Sequence, residues 1–355
     1  MKIVFRADAS IYIGSGHVMR CLVLAKLLLA KGYDVLFATR PQKGDFVSYL
    51  NNQGVEVIEL NRIAVSNCPK YDTDYAAWLQ VEWQEDANDF LQKVSSADLI
   101  VVDHYGINKD WEINVASSLN AKVLVIDDLV REHFSDLILD QTFGRDYRDY
   151  ICKNNNCPIL AGSDFSLLAP EFSMLRANKS YCEKPKVEYR VLVSMGAIDK
   201  PNVTLKVLEE LQCLNDVDLN VTVLLGERSP SYEIVKEFCS ERKYIKHIDF
   251  SANMAQLMRE HHIAVGAPGS TSWERACLGL PSIIIPIADN QLDIARNVAN
   301  SGAAILLELN RIKFDFVTVM KEIMCNWNKY HIASLKLTDG LGAERVVSEI
   351  EHLFD

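Results

Sequence analysis

The segment Ile13-Gly14-Ser15-Gly16-His17-Val18-Met19-Arg20 sets an imidazole directly behind two glycines. Gly14 and Gly16 permit positive φ and let a ligand approach the backbone closely. His17 falls where a helix begins, and the positive end of the helix dipole disfavours imidazolium, leaving the ring available as a base. A lone histidine is more often structural than catalytic; its place in a glycine-flanked loop makes His17 a candidate for chemistry. Asp8 and Arg20 are candidates for orienting or charge-balancing it, with solvated surface charge as the plain alternative. Farther along, Val101-Val102-Asp103-His104-Tyr105-Gly106 ends a strand, and alternation puts Asp103 and Tyr105 on a side that His104 does not share.

A second group of residues suits an anionic ligand. In Gly266-Ala267-Pro268-Gly269-Ser270-Thr271-Ser272-Trp273-Glu274 a strand runs into a helix. Gly269, Ser270 and Thr271 offer backbone N–H groups, hydroxyls and a helix N-terminus, a cradle for a diphosphate. The same residues also read simply as a well-capped helix. Glu274, one turn inside, can accept from vicinal ribose hydroxyls or merely favour the dipole. Gly196 follows another strand in Ser194-Met195-Gly196-Ala197, and Asn290 and Gln291 bring amides that suit sugar hydroxyls. Asp127-Asp128 reads as a turn rather than a Mg²⁺ site, because no third ligand is placed by the spacing. His261-His262 reads as a helix C-terminal pair rather than a metal site. No Walker A or Gly-x-Gly-x-x-Gly pattern is present, so nucleotide triphosphate hydrolysis and dinucleotide redox chemistry lose support.

The elements that must position these residues alternate. Short β-branched runs (Ile3–Phe5, Asp34–Thr39, Val55–Leu60, Asp98–Asp103, Lys122–Asp127, Leu137–Asp140) are separated by amphipathic ones, with helices expected at Val18–Lys31, Trp78–Val94 and Asp110–Leu119. A second series begins near Tyr189, with strands expected at Arg190–Ser194, Asn220–Leu225, Ile245–Phe250, Ile263–Gly266, Ser282–Ile287 and Ala303–Leu307. Continuous apolar strands between helices mean parallel sheets covered on both faces. Two Rossmann-like, doubly wound α/β domains are therefore expected, residues 1–180 and 181–355, joined by the polar stretch Ala177–Glu188. Two more helices are expected in Phe314–Asp355. In such folds ligands bind beyond the C-terminal ends of the strands, so the ligand is expected in a cleft between the two domains.

Composition narrows the partners. The 355 residues exceed one ordinary core, 49% are apolar and 24% charged, and the net charge is −11. That balance argues against nucleic acid, which asks for a basic face. The nine cysteines are scattered, without Cys-x-x-Cys spacing, which fits a reducing compartment. The chain opens on a strand rather than an apolar leader, and its most apolar helix, near Cys21–Ala30, is interrupted by Lys26. A cytoplasmic protein without membrane contact is expected.

Taken in order, these motifs resemble the hydrolases that act on UDP-2,4-diacetamido-2,4,6-trideoxy-β-L-altropyranose in pseudaminic acid biosynthesis. The resemblance covers almost the whole chain. It rests on Phe5–Ser10 with Ile13–Leu22, Asp103-His104-Tyr105 with Trp111, Asp127-Asp128 and Leu167–Phe172. In the second half Gly269–Arg275, Ala288–Gln291 and Asp339–Ala343 carry it. It implies a GT-B-like fold, no cofactor, and a metal-independent reaction in which water attacks the anomeric carbon and UDP leaves with inversion. His17 matches the family's catalytic histidine. The Gly269–Thr271 cradle would hold the diphosphate, Glu274 the ribose, and Asn290 with Gln291 the sugar. One departure stands out: members commonly carry two glycines after the second domain's first strand, where this chain has Gly196-Ala197. A glycosyltransferase with the same grip, or a non-catalytic nucleotide-sugar binding protein, are the rival readings.

Overall fold

The computed structural model describes residues 1–64, 67–71, 73–151, 153–154, 157–178, 183–196 and 198–355. They form two compact units, Met1–Leu167 with Gly342–Asp355, and Leu168–Leu341.

The first unit holds a seven-stranded, wholly parallel sheet. Its strands are β1 (Lys2–Ala7), β2 (Asp34–Thr39), β3 (Glu56–Glu59), β4 (Leu99–Asp103), β5 (Lys122–Ile126), β6 (Leu137–Asp140) and β7 (Ile159–Ala161), in the order β3-β2-β1-β4-β5-β6-β7. β-Branched and leucine runs make strands buried on both faces. Alternation sends Ile3 and Phe5 to one side, against Cys21, Leu24 and Leu28 of the helix Gly16–Ala30. It sends Val4 to the other, among Phe90 and Trp111 of the helices Trp83–Lys93 and Lys109–Leu119. Strand order reverses at β1, whose neighbours are β2 and β4, with Ala7 opposite Asp103.

The second unit repeats the plan with six parallel strands: β8 (Glu188–Ser194), β9 (Asp218–Leu224), β10 (Ile245–Ile248), β11 (Ile263–Gly266), β12 (Ser282–Ile284) and β13 (Ala304–Leu306), ordered β10-β9-β8-β11-β12-β13. Its reversal falls between β8 and β11, where Ser194 pairs with Gly266. Two doubly wound Rossmann-like units, as expected, are present. Among the described residues no helix is long and apolar enough to cross a membrane.

Three expectations need correction. The helix expected over Trp78–Val94 is broken into Tyr75–Trp78 and Trp83–Lys93. Gln80 between them is left-handed, φ 70°, and its side-chain amide donates to the carbonyls of Ala77 and Asn67 at 2.7 and 2.8 Å. That bond set competes with helix continuation. The stretch from Phe314 onward falls within three helices, Ile312–Cys325, Trp327–Ser334 and Gly342–His352, rather than two. The last of these belongs to the first unit. Its stripe Ala343, Val346, Val347 and Ile350 joins the cluster of Cys21, Leu24 and Leu28, and Glu351 accepts from Lys31 and Tyr33. The division therefore falls at Leu167, with residues 342–355 returning, rather than at residue 180. Of the expected linker, residues 179–182 lie outside those described.

Candidate functional site

Strand-order reversals are where doubly wound sheets bind ligands. His17 follows β1 and Asp103 ends β4, so the reversal of the first sheet brings them together. The loop after β1 folds back so that the Gly14 N–H donates to the Ser10 carbonyl at 2.9 Å, and Gly14 adopts φ +79°. Gly16 is not left-handed; it opens the helix Gly16–Ala30, and His17 is the second residue of that helix. Among the described residues beyond the local backbone, nothing lies within 4 Å of where a Cβ would stand on Gly14 or Gly16, leaving room above both.

His17 Nδ1 lies 2.6 Å from Asp103 Oδ1, and Asp103 is 0% exposed. The guanidinium of Arg20, one turn after His17, grips the same carboxylate through Nε and Nη2, both at 2.6 Å. Burial alone would raise the Asp103 carboxyl, but Arg20 and then His17 outweigh it and hold it well below the usual range. With an ionised acceptor at Nδ1, the imidazole carries its proton there, and Nε2 presents a lone pair.

Aromatic rings enclose this histidine. Tyr105 stands edge-on to it, centroids 4.6 Å apart, and Trp78 lies 6.2 Å away and stacks on Tyr105. Tyr105 Oη donates to Asp128 Oδ1 at 2.5 Å, and Asp128 Oδ2 is 3.5 Å from Arg20 Nη1. Burial, with the Asp128 charge behind it, pushes the Tyr105 phenol well up, so it is a donor rather than an acid here. Asp127 caps the turn, accepting from the backbone N–H and the Nε of Arg131 at 3.0 and 2.8 Å.

Asp8 does not join His17. Its carboxylate is 0% exposed and occupied by Arg6 (2.5 and 3.0 Å), Thr39 Oγ1 (3.0 Å) and the backbone N–H of Arg40 (2.7 Å). His104 Nε2 faces it at 3.3 Å, while His104 Nδ1 accepts from the Gly106 N–H. Arg6 and Arg40 also share Asp86, which accepts from Trp111 Nε1 at 3.0 Å as well. This buried network ties the ends of β1 and β2 to the helix Trp83–Lys93. Alternation along Asp103-His104-Tyr105 is realised: the odd residues face His17, the even one faces Asp8. The part played by Trp78 and Asp128 carried no spacing signal: Trp78 reaches His17 from the short helix Tyr75–Trp78, and Asp128 acts through Tyr105 and Arg20 from the loop after β5.

In the second unit the reversal brings Gly196, after β8, beside the loop that follows β11. Gly196 has φ +87°; Ala197 lies outside the described residues. Gly269 is the N-cap of the helix Ser270–Cys277 with φ +145° and ψ −157°, a conformation reserved for glycine. The Ser272 hydroxyl accepts from its N–H at 3.3 Å, and a Cβ on Gly196 or Gly269 would meet no described residue beyond its chain neighbours within 4 Å. Ser270 and Thr271 are partly exposed at this helix start. Among the described residues Glu274 Oε2 is enclosed with no hydrogen-bond partner, and burial pushes its carboxyl up to about 7, against the pull of Arg275. A buried acceptor without a donor is costly in a finished protein and suited to one awaiting a hydroxyl. Gln291 spends its side-chain carbonyl on the Ile287 N–H at 2.9 Å, holding its own loop. The side chain of Asn290 lies outside those described. His261 and His262 stay structural: His261 Nδ1 lies 2.7 Å from the Leu257 carbonyl, and His262 Nδ1 accepts from the Arg190 N–H.

Residues 190–336 match the glycosyltransferase family 28 C-terminal domain. Over 80% of its length the chain is 27% identical to an uncharacterised protein of Methanocaldococcus jannaschii, of which it spans only 55%. Over 85% it is 25% identical to the UDP-2,4-diacetamido-2,4,6-trideoxy-beta-L-altropyranose hydrolase of Campylobacter jejuni, covering 97% of that protein. Among solved structures, the calicheamicin glycosyltransferase CalG4 superposes with a TM-score of 0.70 at 12% identity, covering 99% of this chain and 97% of that one. Two parallel-sheet Rossmann-like units thus make this a chain of the GT-B fold, whose residues 190–336 match a family 28 C-terminal domain and whose sequence is related to a UDP-sugar hydrolase.

Proposed function

We propose that the protein is an enzyme of nucleotide-sugar metabolism that hydrolyses a UDP-linked 2,4-diacetamido-2,4,6-trideoxy sugar, as in pseudaminic acid biosynthesis. Water attacks the anomeric carbon, the C1–O bond breaks, and UDP and the free sugar leave with inverted configuration. The observation that carries this reading is the His17–Asp103 pair at a strand-order reversal, with Nε2 unspent. Inverting hydrolysis needs one base for water on the face opposite the leaving group. UDP is already a good leaving group, so backbone donors that absorb its developing charge suffice there.

In this reading Gly196 and Gly269–Thr271 receive the diphosphate, Glu274 Oε2 accepts from the ribose, and Asn290 and Gln291 meet the sugar. Asp8 acts through the fold rather than on the ligand. The test is incubation with UDP-2,4-diacetamido-2,4,6-trideoxy-β-L-altropyranose and no acceptor, followed by proton NMR. Free sugar appearing with the opposite anomeric configuration supports the proposal. The likeness to glycosyltransferases favours a second reading, transfer to an acceptor alcohol; an intact UDP-sugar without acceptor, consumed once one is added, would establish it.

A further inference from the structure

We propose that Arg20 is a positioning residue that keeps the Asp103–His17 pair in its working protonation state, with Asp128 as its brace. The inference rests on His17 being the base proposed above. Asp103 is fully buried and receives four donors: His17 Nδ1, Arg20 Nη2, Arg20 Nε and, at 3.4 Å, Cys21 Sγ. A buried carboxylate facing only an imidazole would draw a proton onto the ring and cancel the base. The Arg20 fork prevents this by meeting both carboxylate oxygens at 2.6 Å, with geometry that a guanidinium supplies and an ammonium does not. Arg20 Nη2 also stands 3.3 Å from His17 Nδ1, close enough for its charge to oppose a second proton on the ring.

The fork is itself held. Asp128, in the loop after β5, lies 3.5 Å from Arg20 Nη1 and is fixed by Tyr105 Oη, while its backbone carbonyl accepts from Arg145 Nη2 at 3.0 Å. The charged and titratable groups around the pair are therefore Asp103 and Tyr105 from the β4 end, Arg20 and Cys21 from the first helix, and Asp128 from the β5 loop. Arg131 stacks behind Tyr105, its guanidinium 5.7 Å from the ring centre. Among the described residues, Arg20 is the one cation in direct contact with the pair. Removing it leaves the Asp103 carboxylate facing the imidazole with no cation to balance it, and Asp128 without its ion pair.

The experiment has two arms. First, the acidic limb of the pH profile of kcat/KM for UDP-sugar hydrolysis is measured in wild type, Arg20→Gln and Arg20→Lys. The limb is expected to move up by about 1–3 pH units in Arg20→Gln. Arg20→Lys, which restores charge but not the fork, should return most of that shift while kcat stays reduced. An unmoved limb with activity lowered equally at every pH would mean a structural role only and overturn the proposal. Second, the ¹⁵N resonances of the His17 ring are recorded in the unliganded wild-type protein, which needs neither turnover nor a folded variant. Protonation at Nδ1 is expected; a neutral ring protonated at Nε2 overturns the proposal. If no UDP-sugar is hydrolysed, the function proposed above fails while this second arm still decides the geometry.

Discussion

Replacing His17 by Ala or Asn removes the proposed base while leaving every residue of the second unit in place. Turnover should fall by about 10²–10⁴-fold with UDP affinity nearly unchanged, as steady-state kinetics beside calorimetric UDP titration will show. Glu274 supplies a prediction of opposite kind, on binding rather than turnover. Burial pushes its carboxyl up to about 7, and in its proposed role it would accept from ribose hydroxyls best when ionised. Nucleoside affinity should therefore rise from about pH 6 to about pH 8, because protonation competes with the ligand. Uridine is the ligand for this titration, since it carries no phosphate of its own to titrate. Glu274→Gln should flatten the dependence; a wild-type affinity indifferent to pH contradicts the assignment. Asp103 shows the other sign. Its carboxyl is held below the unfolded value by Arg20 and His17, so the stability it contributes is present above the unfolded value, about pH 4, and is lost as pH falls toward the folded one.

Loops and strand ends convert those side chains into a site, and two substitutions probe them. Gly269→Ala forces a Cβ into a conformation that only glycine tolerates, although no described residue stands in its way. A cost of about 1–3 kcal/mol in urea unfolding is expected, together with weaker UDP binding. Asp86→Asn removes the charge that Arg6 and Arg40 share, leaving buried cations short of a partner. A loss of about 3–5 kcal/mol is expected in the same measurement. Much at this scale was legible beforehand. The strands Asp34–Thr39, Leu137–Asp140 and Ile263–Gly266 fall where their apolar runs begin and end, and Asp103 and Tyr105 share a side because a strand alternates. What could not be read are pairings across distance. Asp8 follows β1 and Asp103 ends β4, yet one is locked to Arg6 and the other pairs with His17. Gln80 breaks a helix for the sake of Asn67, thirteen residues away, and local propensity carries no trace of that bond.

The chain as a whole uses one plan twice, but the two units are not equally continuous. Leu168–Leu341 is a single stretch, whereas the first unit is closed by the helix Gly342–His352. A chain ending at residue 341 gives up the burial of Val346, Val347 and Ile350, each contributing roughly 1.5–3 kcal/mol. That is comparable with the whole stability of an ordinary domain, about 5–15 kcal/mol. Hydrogen exchange on the shortened chain should show protection lost across β1 and the helix Gly16–Ala30 and kept across β8 and β11; equal loss in both would contradict the division. The returning helix also orders events at the ribosome. Domains made first usually fold first. Here the second unit is complete while the first still shows a bare apolar stripe along Cys21, Leu24 and Leu28. Within these residues the unit begun first is thus completed second, its apolar stripe left uncovered until the returning helix arrives.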